Sequence, residues 1–159
     1  MSSFTHIDSQ GRVRMVDVSE KPPTVRTAVA QGIITMKPDT FAMIQNQTVK
    51  KGNVLETARI AGIMAAKRTS DLIPMCHPLN IKHAQIDFFP DQEKSAIRIE
   101  ASVRIIDQTG VEMEALTAVS VAALTIYDMC KSTDREMTIS DICVLEKAGG
   151  KSGTFSRSP

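Results

Sequence analysis

The chain is poor in aromatic residues and nearly balanced in charge. It has no tryptophan, one tyrosine and five phenylalanines, so its core must be built from aliphatic side chains and methionine. The net charge of +1 gives no electrostatic reason to expect a nucleic-acid or membrane partner. An RNA-binding sheet would need exposed aromatic side chains for base stacking. The strand patterns described below place Arg, Glu and Ser outward instead.

Cysteine is also scarce, and its spacing excludes two common kinds of site. Cys76, Cys130 and Cys143 are far apart and form no CxxC pair, so neither a zinc ribbon nor a disulfide framework is indicated. The first residues lack the charged and apolar segments of a secretory signal. We therefore expect a cytoplasmic protein with reduced thiols, and the chain length suits one domain.

The uncharged stretch from Ala115 to Tyr127 is too short for a membrane span. It has 13 residues, whereas a spanning helix needs about 20. The wider segment from Gly110 to Lys131 is rich in Ala, Leu, Met and Glu, and no Gly or Pro interrupts it after Gly110. This composition predicts a helix that is buried nearly all round in a protein core.

Polar side chains stand at both ends of this predicted helix. Glu112 and Glu114 lie at its start, and Asp128 and Lys131 lie at its end. Positions 114 and 128 fall on nearly the same stripe of a helix but lie about 21 Å apart along it. A small substrate does not easily touch both ends of one straight helix. Three interpretations follow: the Glu pair precedes the helix, it caps the helix N-terminus, or one site combines ends from two subunits.

The remaining patterns predict a ferredoxin-like α+β domain. Apolar and polar residues alternate over 81–88 and 95–105, which is typical of half-buried strands. The predicted elements in chain order are a strand (24–36), two helices (38–46 and 55–69), two strands (81–88 and 95–105), a helix (110–131) and a strand (137–147). This order gives a split βαβ arrangement with an extra helix in the first crossover, and an antiparallel sheet packed on helices. We expect an N-terminal arm (1–23), one domain (24–147) and a flexible Gly/Ser-rich tail (148–159).

A short proline-bracketed loop is the first candidate for chemistry. Pro74 and Pro78 enclose Met75, Cys76 and His77 and restrict the loop to an extended shape. A zinc site would need three or four ligands, and neither of the other two histidines has a metal-site spacing to His77. The loop therefore predicts a functional histidine in preference to a metal ligand.

The glycine-rich tail is the second candidate. The residues Gly149-Gly-Lys-Ser152 invite comparison with a phosphate-binding loop, but that pattern needs a glycine where this chain has Leu145. No helix is predicted after the tail either. The tail is therefore not a P-loop, although Lys147 and Lys151 remain candidates for contact with an anion.

Three segments together resemble one known family. They are Ile73–Leu79 (IPMCHPL), Gly110–Thr117 (GVEMEALT) and Tyr127–Lys131 (YDMCK). They look like the molybdenum cofactor biosynthesis protein C family, MoaC, the cyclic pyranopterin monophosphate synthases. The resemblance runs at matching spacing from Met15–Val18 to Gly149–Gly153 and is weakest over 1–14 and 90–95.

The resemblance implies a fold, an assembly and a reaction. It implies a ferredoxin-like subunit in a homohexamer, a trimer of dimers, with active sites between subunits. It implies a lyase that converts 3′,8-cyclo-7,8-dihydro-GTP into cyclic pyranopterin monophosphate and releases pyrophosphate. The catalytic positions that it matches are Asp128, Lys51 and Lys131. The substrate-binding positions that it matches are Met75, Cys76, His77, Met113 and Glu114, together with Glu112, Lys67 and Arg26.

The residue types suit that chemistry. Opening and closing rings needs proton transfers at several atoms, which paired lysine and aspartate side chains can carry out. We expect no required cofactor, with Mg²⁺ bound to the triphosphate as an open alternative. The rival function is a metal-dependent phosphohydrolase that would use His77 with Glu112, Glu114 or Asp128 as ligands.

Overall fold

The computed structural model describes residues 5–158 of the chain. Its elements are β1 (Thr24–Thr35), α1 (Pro38–Gln45), α2 (Val54–Lys67), α3 (Thr69–Leu72), β2 (His83–Asp91), β3 (Ala96–Asp107), α4 (Glu112–Cys130), β4 (Thr138–Ala148) and β5 (Phe155–Ser156). The predicted order of strands and helices is confirmed. The short elements α3 and β5 were not predicted.

The five strands form one sheet in the order β2-β3-β1-β4-β5. Every pair of neighbouring strands is antiparallel. The central strands β1 and β3 pair along their whole length, from Thr24 opposite Asp107 to Thr35 opposite Ala96. The first four strands therefore have the ferredoxin-like α+β arrangement that the sequence predicts.

Helices cover one face of this sheet. The apolar residues of β3 that alternate in the sequence are all fully buried beneath them: Ile97, Ile99, Ala101, Val103 and Ile105. The covering helices α2 and α4 also pack against each other. Gly62 makes this close approach possible, because a Cβ atom there would lie 3.0 Å from the carbonyl oxygen of Ala118 and would overlap the side chain of Ile86.

Helix α4 is the central element of the core. Among the described residues it is the one helix with the length and apolar composition of a membrane span, yet 56% of that stretch is buried inside the fold. It runs without interruption from Glu112 to Cys130. Because Glu112 and Glu114 both lie in its first turn, the interpretation that they precede the helix is wrong.

Two edges of the sheet differ from the prediction. β2 continues through Pro90 to Asp91, beyond the predicted end at residue 88. Proline is tolerated there because β2 is an edge strand, so the missing N–H breaks no ladder. At the opposite edge the two-residue strand β5 pairs with the end of β4. A strand of two residues is too short to show an alternating pattern in the sequence.

Candidate active site

A cavity of about 320 Å³ lies at the N-terminal end of α4. Its walls come from the loop over 73–79, from the first turn of α4 and from the N-terminal arm. The side chains that line it include Val16, Val18, Lys21, Met75, Cys76, His77, Glu112, Met113 and Glu114. Its volume suits a small organic molecule. The structure therefore brings two of the predicted substrate-binding segments together in one cavity.

Hydrogen bonds hold the proline-bracketed loop in place. The backbone N–H of Cys76 donates to the carbonyl oxygen of Ile73 at 3.1 Å, which closes a turn. The ring nitrogen Nε2 of His77 lies 2.8 Å from the carbonyl oxygen of Val16. This second bond ties the loop to the arm, so both walls of the cavity are fixed relative to each other.

Glu114 is the most deeply buried ionisable side chain of the cavity, with 3% of its surface exposed. Desolvation by burial, reinforced by the charge of Glu112, raises the pKa of Glu114 to about 7. This carboxyl group therefore gains and loses a proton near neutral pH. Burial and the nearby charge of Glu114 also raise the pKa of the Cys76 thiol, which keeps that sulfur a weak nucleophile.

Arg26 stands between two further cavities next to the first one. Its Nε and Nη2 atoms donate to the carbonyl oxygens of Asp107 and Gln108 at 3.2 and 3.1 Å. Gly150, at a φ of 75°, approaches the guanidinium group so closely that a Cβ atom would overlap it. The glycine-rich tail thus packs on Arg26, and only glycine fits there without strain.

The two cavities beside Arg26 are lined by lysines. One, of about 410 Å³, has Lys21 and Lys151 in its wall. The other, of about 220 Å³, has Lys147, whose amino group donates to the Ser152 hydroxyl. Lys21 and Glu112 also line the first cavity, so all three cavities adjoin. A predominantly cationic pocket next to a carboxyl-lined one suits a ligand with a ring and a polyphosphate.

The predicted catalytic residues form a second cluster. The Lys131 amino group donates to Asp128 Oδ1 at 2.6 Å. Lys51 Nζ lies 3.6 Å from Asp128 Oδ2 and donates to the Asp128 carbonyl oxygen at 2.9 Å. The hydrogen bond from Lys131 and the charges of both lysines lower the pKa of the Asp128 carboxyl. The structure therefore brings Asp128, Lys51 and Lys131 together as an ionised, solvent-accessible triad.

The two clusters lie at opposite ends of α4. Helix α2 runs antiparallel to α4, because Lys51 just before its start contacts Asp128 while Gly62 in its middle meets Ala118. Lys67, at the end of α2, therefore lies toward the cavity end of α4. Within one chain the Asp128 cluster stays about 21 Å from the cavity.

The structure also bears on the metal-dependent alternative. Within residues 5–158, no three His, Cys, Asp or Glu side chains come close enough to hold one metal ion. Of the ligands named for that alternative, His77, Glu112 and Glu114 line one cavity, whereas Asp128 lies at the far end of α4 and does not join them within one chain.

The N-terminal arm forms part of the site, although the sequence predicts no site residue within 1–23. Val16 and Val18 are half-buried in the cavity wall, and Lys21 lines two of the cavities. The signal was weak, since two apolar residues at alternate positions do not distinguish a docked segment from a free one.

The fold and the cavities define a class of protein. It is a ferredoxin-like α+β subunit with a carboxyl-lined cavity of small-molecule size, an adjoining cationic pocket and a separate Lys–Asp–Lys cluster. Such a subunit is suited to a nucleotide-like anion and to proton transfer.

The chain belongs to the MoaC family, which it matches over residues 15–150. The cyclic pyranopterin monophosphate synthase of Desulfatibacillum aliphaticivorans is 64% identical over 155 residues, covering 98% of this chain and 98% of that protein. The protein of the same name from Desulforapulum autotrophicum is 66% identical over 155 residues, covering 98% and 95%. That from Chloroflexus aurantiacus is 56% identical over 156 residues, covering 98% and 96%. The family resemblance stated from the sequence motifs is confirmed.

Proposed function

We propose that this chain is a cyclic pyranopterin monophosphate synthase of molybdenum cofactor biosynthesis. It converts 3′,8-cyclo-7,8-dihydro-GTP into cyclic pyranopterin monophosphate and releases pyrophosphate. The observation that carries the proposal is the 64% identity to a relative of that name over 98% of both chains.

The substrate has two chemically different parts, and the adjoining cavities suit both. The purine-derived ring enters the cavity of Met75, Cys76 and His77, where Glu114 faces its polar edge. The triphosphate lies on Arg26 with Lys21, Lys147 and Lys151, because charged donors bind phosphate oxygens strongly. Lys67 adds a further cation at this end of α4, and Met113 and Glu112 complete the wall.

Asp128, Lys51 and Lys131 carry out the acid–base steps. Ring opening and reclosure need protons to be delivered and removed at several atoms. The Lys131 amino group donates to the Asp128 carboxylate and the Lys51 amino group lies 3.6 Å from it, so two ammonium groups that can give up a proton are held beside one carboxylate that can accept it. Cations near the phosphates stabilise the negative charge that develops as pyrophosphate leaves.

The protein assembles as a homohexamer, a trimer of dimers, with active sites between subunits. The cluster at Asp128 and the cavity at Glu114 are too far apart in one chain to act on one small substrate. A second copy that brings its Asp128 end to the cavity completes the site. Apolar side chains on the outer surface of the helix layer suit such contact: Ile60, Met64 and Leu124 are 60%, 54% and 57% exposed.

A cytoplasmic location goes with this function. Cys76, Cys130 and Cys143 are all free thiols, and thiols stay reduced in the cytoplasm.

Substitution of the triad tests the proposed catalysis. We expect Asp128→Ala and Lys51→Ala to lower kcat with the cyclised substrate by at least about 100-fold, as is typical for loss of an acid–base group. Asp91→Ala and Lys94→Ala are matched controls that should leave turnover unchanged, because this surface ion pair lies at the turn from β2 to β3 and lines none of the three cavities. Near wild-type turnover of either triad variant, with an unchanged thermal midpoint, refutes the assignment.

Treatment with a chelator tests whether turnover requires a bound metal ion. We expect turnover to survive exhaustive dialysis against a strong chelator, with at most a change in KM if Mg²⁺ accompanies the triphosphate. Complete loss of kcat, restored by adding back a divalent cation, would instead support the metal-dependent phosphohydrolase.

A further inference from the structure

The hydrogen bond between His77 and the arm determines which ring nitrogen of His77 carries the hydrogen. A carbonyl oxygen has no proton, so it only accepts hydrogen bonds. Since Nε2 of His77 lies 2.8 Å from the carbonyl oxygen of Val16, Nε2 must carry the hydrogen. In the neutral ring, Nδ1 is then the unprotonated nitrogen and a hydrogen-bond acceptor.

The arm segment that supplies this carbonyl is itself docked. Val16 and Val18 are half-buried in the cavity wall. Met15, which precedes them, and Asp17, which lies between them, are exposed. This alternation is that of an extended segment with one face on the domain. Asp17 further stiffens the segment, because its carboxylate accepts from the N–H and the hydroxyl of Ser19 at 2.9 and 2.6 Å.

The second nitrogen of the ring is left for a ligand. The hydrogen bond to Val16 engages Nε2, so the acceptor capacity of Nδ1 remains for a group that enters the cavity. The ring lines the same cavity as Glu112 and Glu114.

We propose that the main chain of the arm at Val16 holds His77 in the Nε2–H form, so that Nδ1 accepts a hydrogen bond from an N–H or O–H group of the substrate. Val16 is thus a positioning residue that acts through His77. The identity of the substrate rests on the proposed function, but the form of the ring does not.

The ring proton can be observed without any activity assay. The chain has only three histidines, so ¹⁵N-histidine labelling of the full chain gives a simple NMR spectrum in which His77→Gln identifies the His77 signals. We expect a hydrogen on Nε2 that exchanges slowly with water, and an unprotonated Nδ1. A hydrogen on Nδ1 would overturn the proposal whatever the enzyme catalyses.

Loosening the arm tests whether Val16 is responsible. The double variant Val16→Gly/Val18→Gly removes both docked side chains, and we expect the Nε2–H signal of His77 to be lost by fast exchange. Met15→Gly is the matched control, because it loosens the same backbone at an exposed position. Persistence of the slow Nε2–H signal in the double variant would contradict a role for the arm.

Two substitutions of His77 separate its nitrogens in catalysis. The amide of His77→Asn occupies the place of Nδ1, whereas that of His77→Gln occupies the place of Nε2 and leaves the ligand side empty. We expect kcat/KM of the Asn variant to exceed that of the Gln variant by about tenfold, the usual effect of one hydrogen bond. The reverse order would refute contact through Nδ1. If the proposed function itself is wrong, the wild-type chain will show no turnover of the cyclised substrate, while the NMR spectrum will still show the hydrogen on Nε2.

Discussion

Two carboxylates on one helix differ sharply because of their surroundings. Glu114 is buried against the core at the start of α4, where desolvation favours its protonated form. Asp128 is solvent-exposed at the end of the same helix, where Lys131 and Lys51 favour its charged form. Glu114 therefore exchanges a proton near neutral pH, whereas Asp128 rests as a carboxylate beside two lysines. Such a division of roles is typical of acid–base enzymes.

The raised pKa of Glu114 predicts how stability changes with pH. The folded protein holds this proton up to a pKa of about 7, whereas the unfolded chain releases it near the ordinary value of 4.5. Between these values the folded state binds more protons, so stability falls as pH rises. We expect the ionisation of Glu114 to lower the free energy of unfolding by about 2.5 kcal/mol between pH 5 and pH 8. Urea unfolding at both pH values measures this change.

Glu114→Gln isolates the contribution of that carboxyl. The amide does not ionise, so we expect the variant to match the wild type near pH 5 and to be the more stable protein near pH 8. Glu112→Gln is the control, because Glu112 is less buried and its substitution should leave most of the pH dependence in place. An equal pH dependence in wild type and Glu114→Gln would show that Glu114 is charged in the folded protein.

Some helices and strands of the fold could be predicted from local sequence patterns, and others could not. β3 alternates from Ile97 to Ile105 and α4 is uncharged throughout its middle, so the bounds of both elements were predicted to within two residues. The extension of β2 through Pro90, the strand β5 and the docked arm were not predicted. Each of these depends on its position at an edge or on a distant partner, such as Val16 on His77, and local patterns do not encode that.

The crossing of α2 and α4 depends on one glycine. On a solvent-exposed helix face, a change such as Gly62→Ala would stabilise the folded protein by about 1 kcal/mol. Here the added methyl group meets the Ala118 carbonyl oxygen and the Ile86 side chain, and overpacking a core costs about 1–3 kcal/mol. We expect Gly62→Ala to lower the free energy of unfolding by roughly 1 kcal/mol net, measured by chemical denaturation.

A double-mutant cycle checks the cause of that loss. Ile86→Val removes the atom that the new methyl group would overlap, so we expect the double variant Gly62→Ala/Ile86→Val to lose less stability than the sum of the single variants. Additive losses would mean that the helix crossing has room for a side chain at position 62.

In the whole molecule, the two clusters of predicted site residues lie far apart within one chain. The cavity lies at one end of α4 and the Lys–Asp–Lys cluster at the other, about 21 Å apart. Both ends were predicted as site residues from the sequence, and their separation was predicted from the helical rise. The exposed apolar surface proposed for subunit contact was not predictable, because residues such as Ile60 and Met64 look like core residues in the sequence.

Subunit mixing tests whether one site takes its two ends from two chains. In a mixed dimer of Asp128→Ala and Glu114→Ala, one shared site carries both lesions and the other carries neither, so each inactive variant rescues the other. After full exchange at equal concentrations we expect about a quarter of wild-type turnover, since half of the dimers are mixed and each has one intact site. Mass spectrometry of a tagged variant verifies the exchange, and mixing wild type with Asp128→Ala supplies the reference for dilution.

If verified mixed dimers are no more active than the separate variants, each site lies within one chain. Both clusters would then have to reach one substrate through a movement of α4, which its continuous, buried middle opposes.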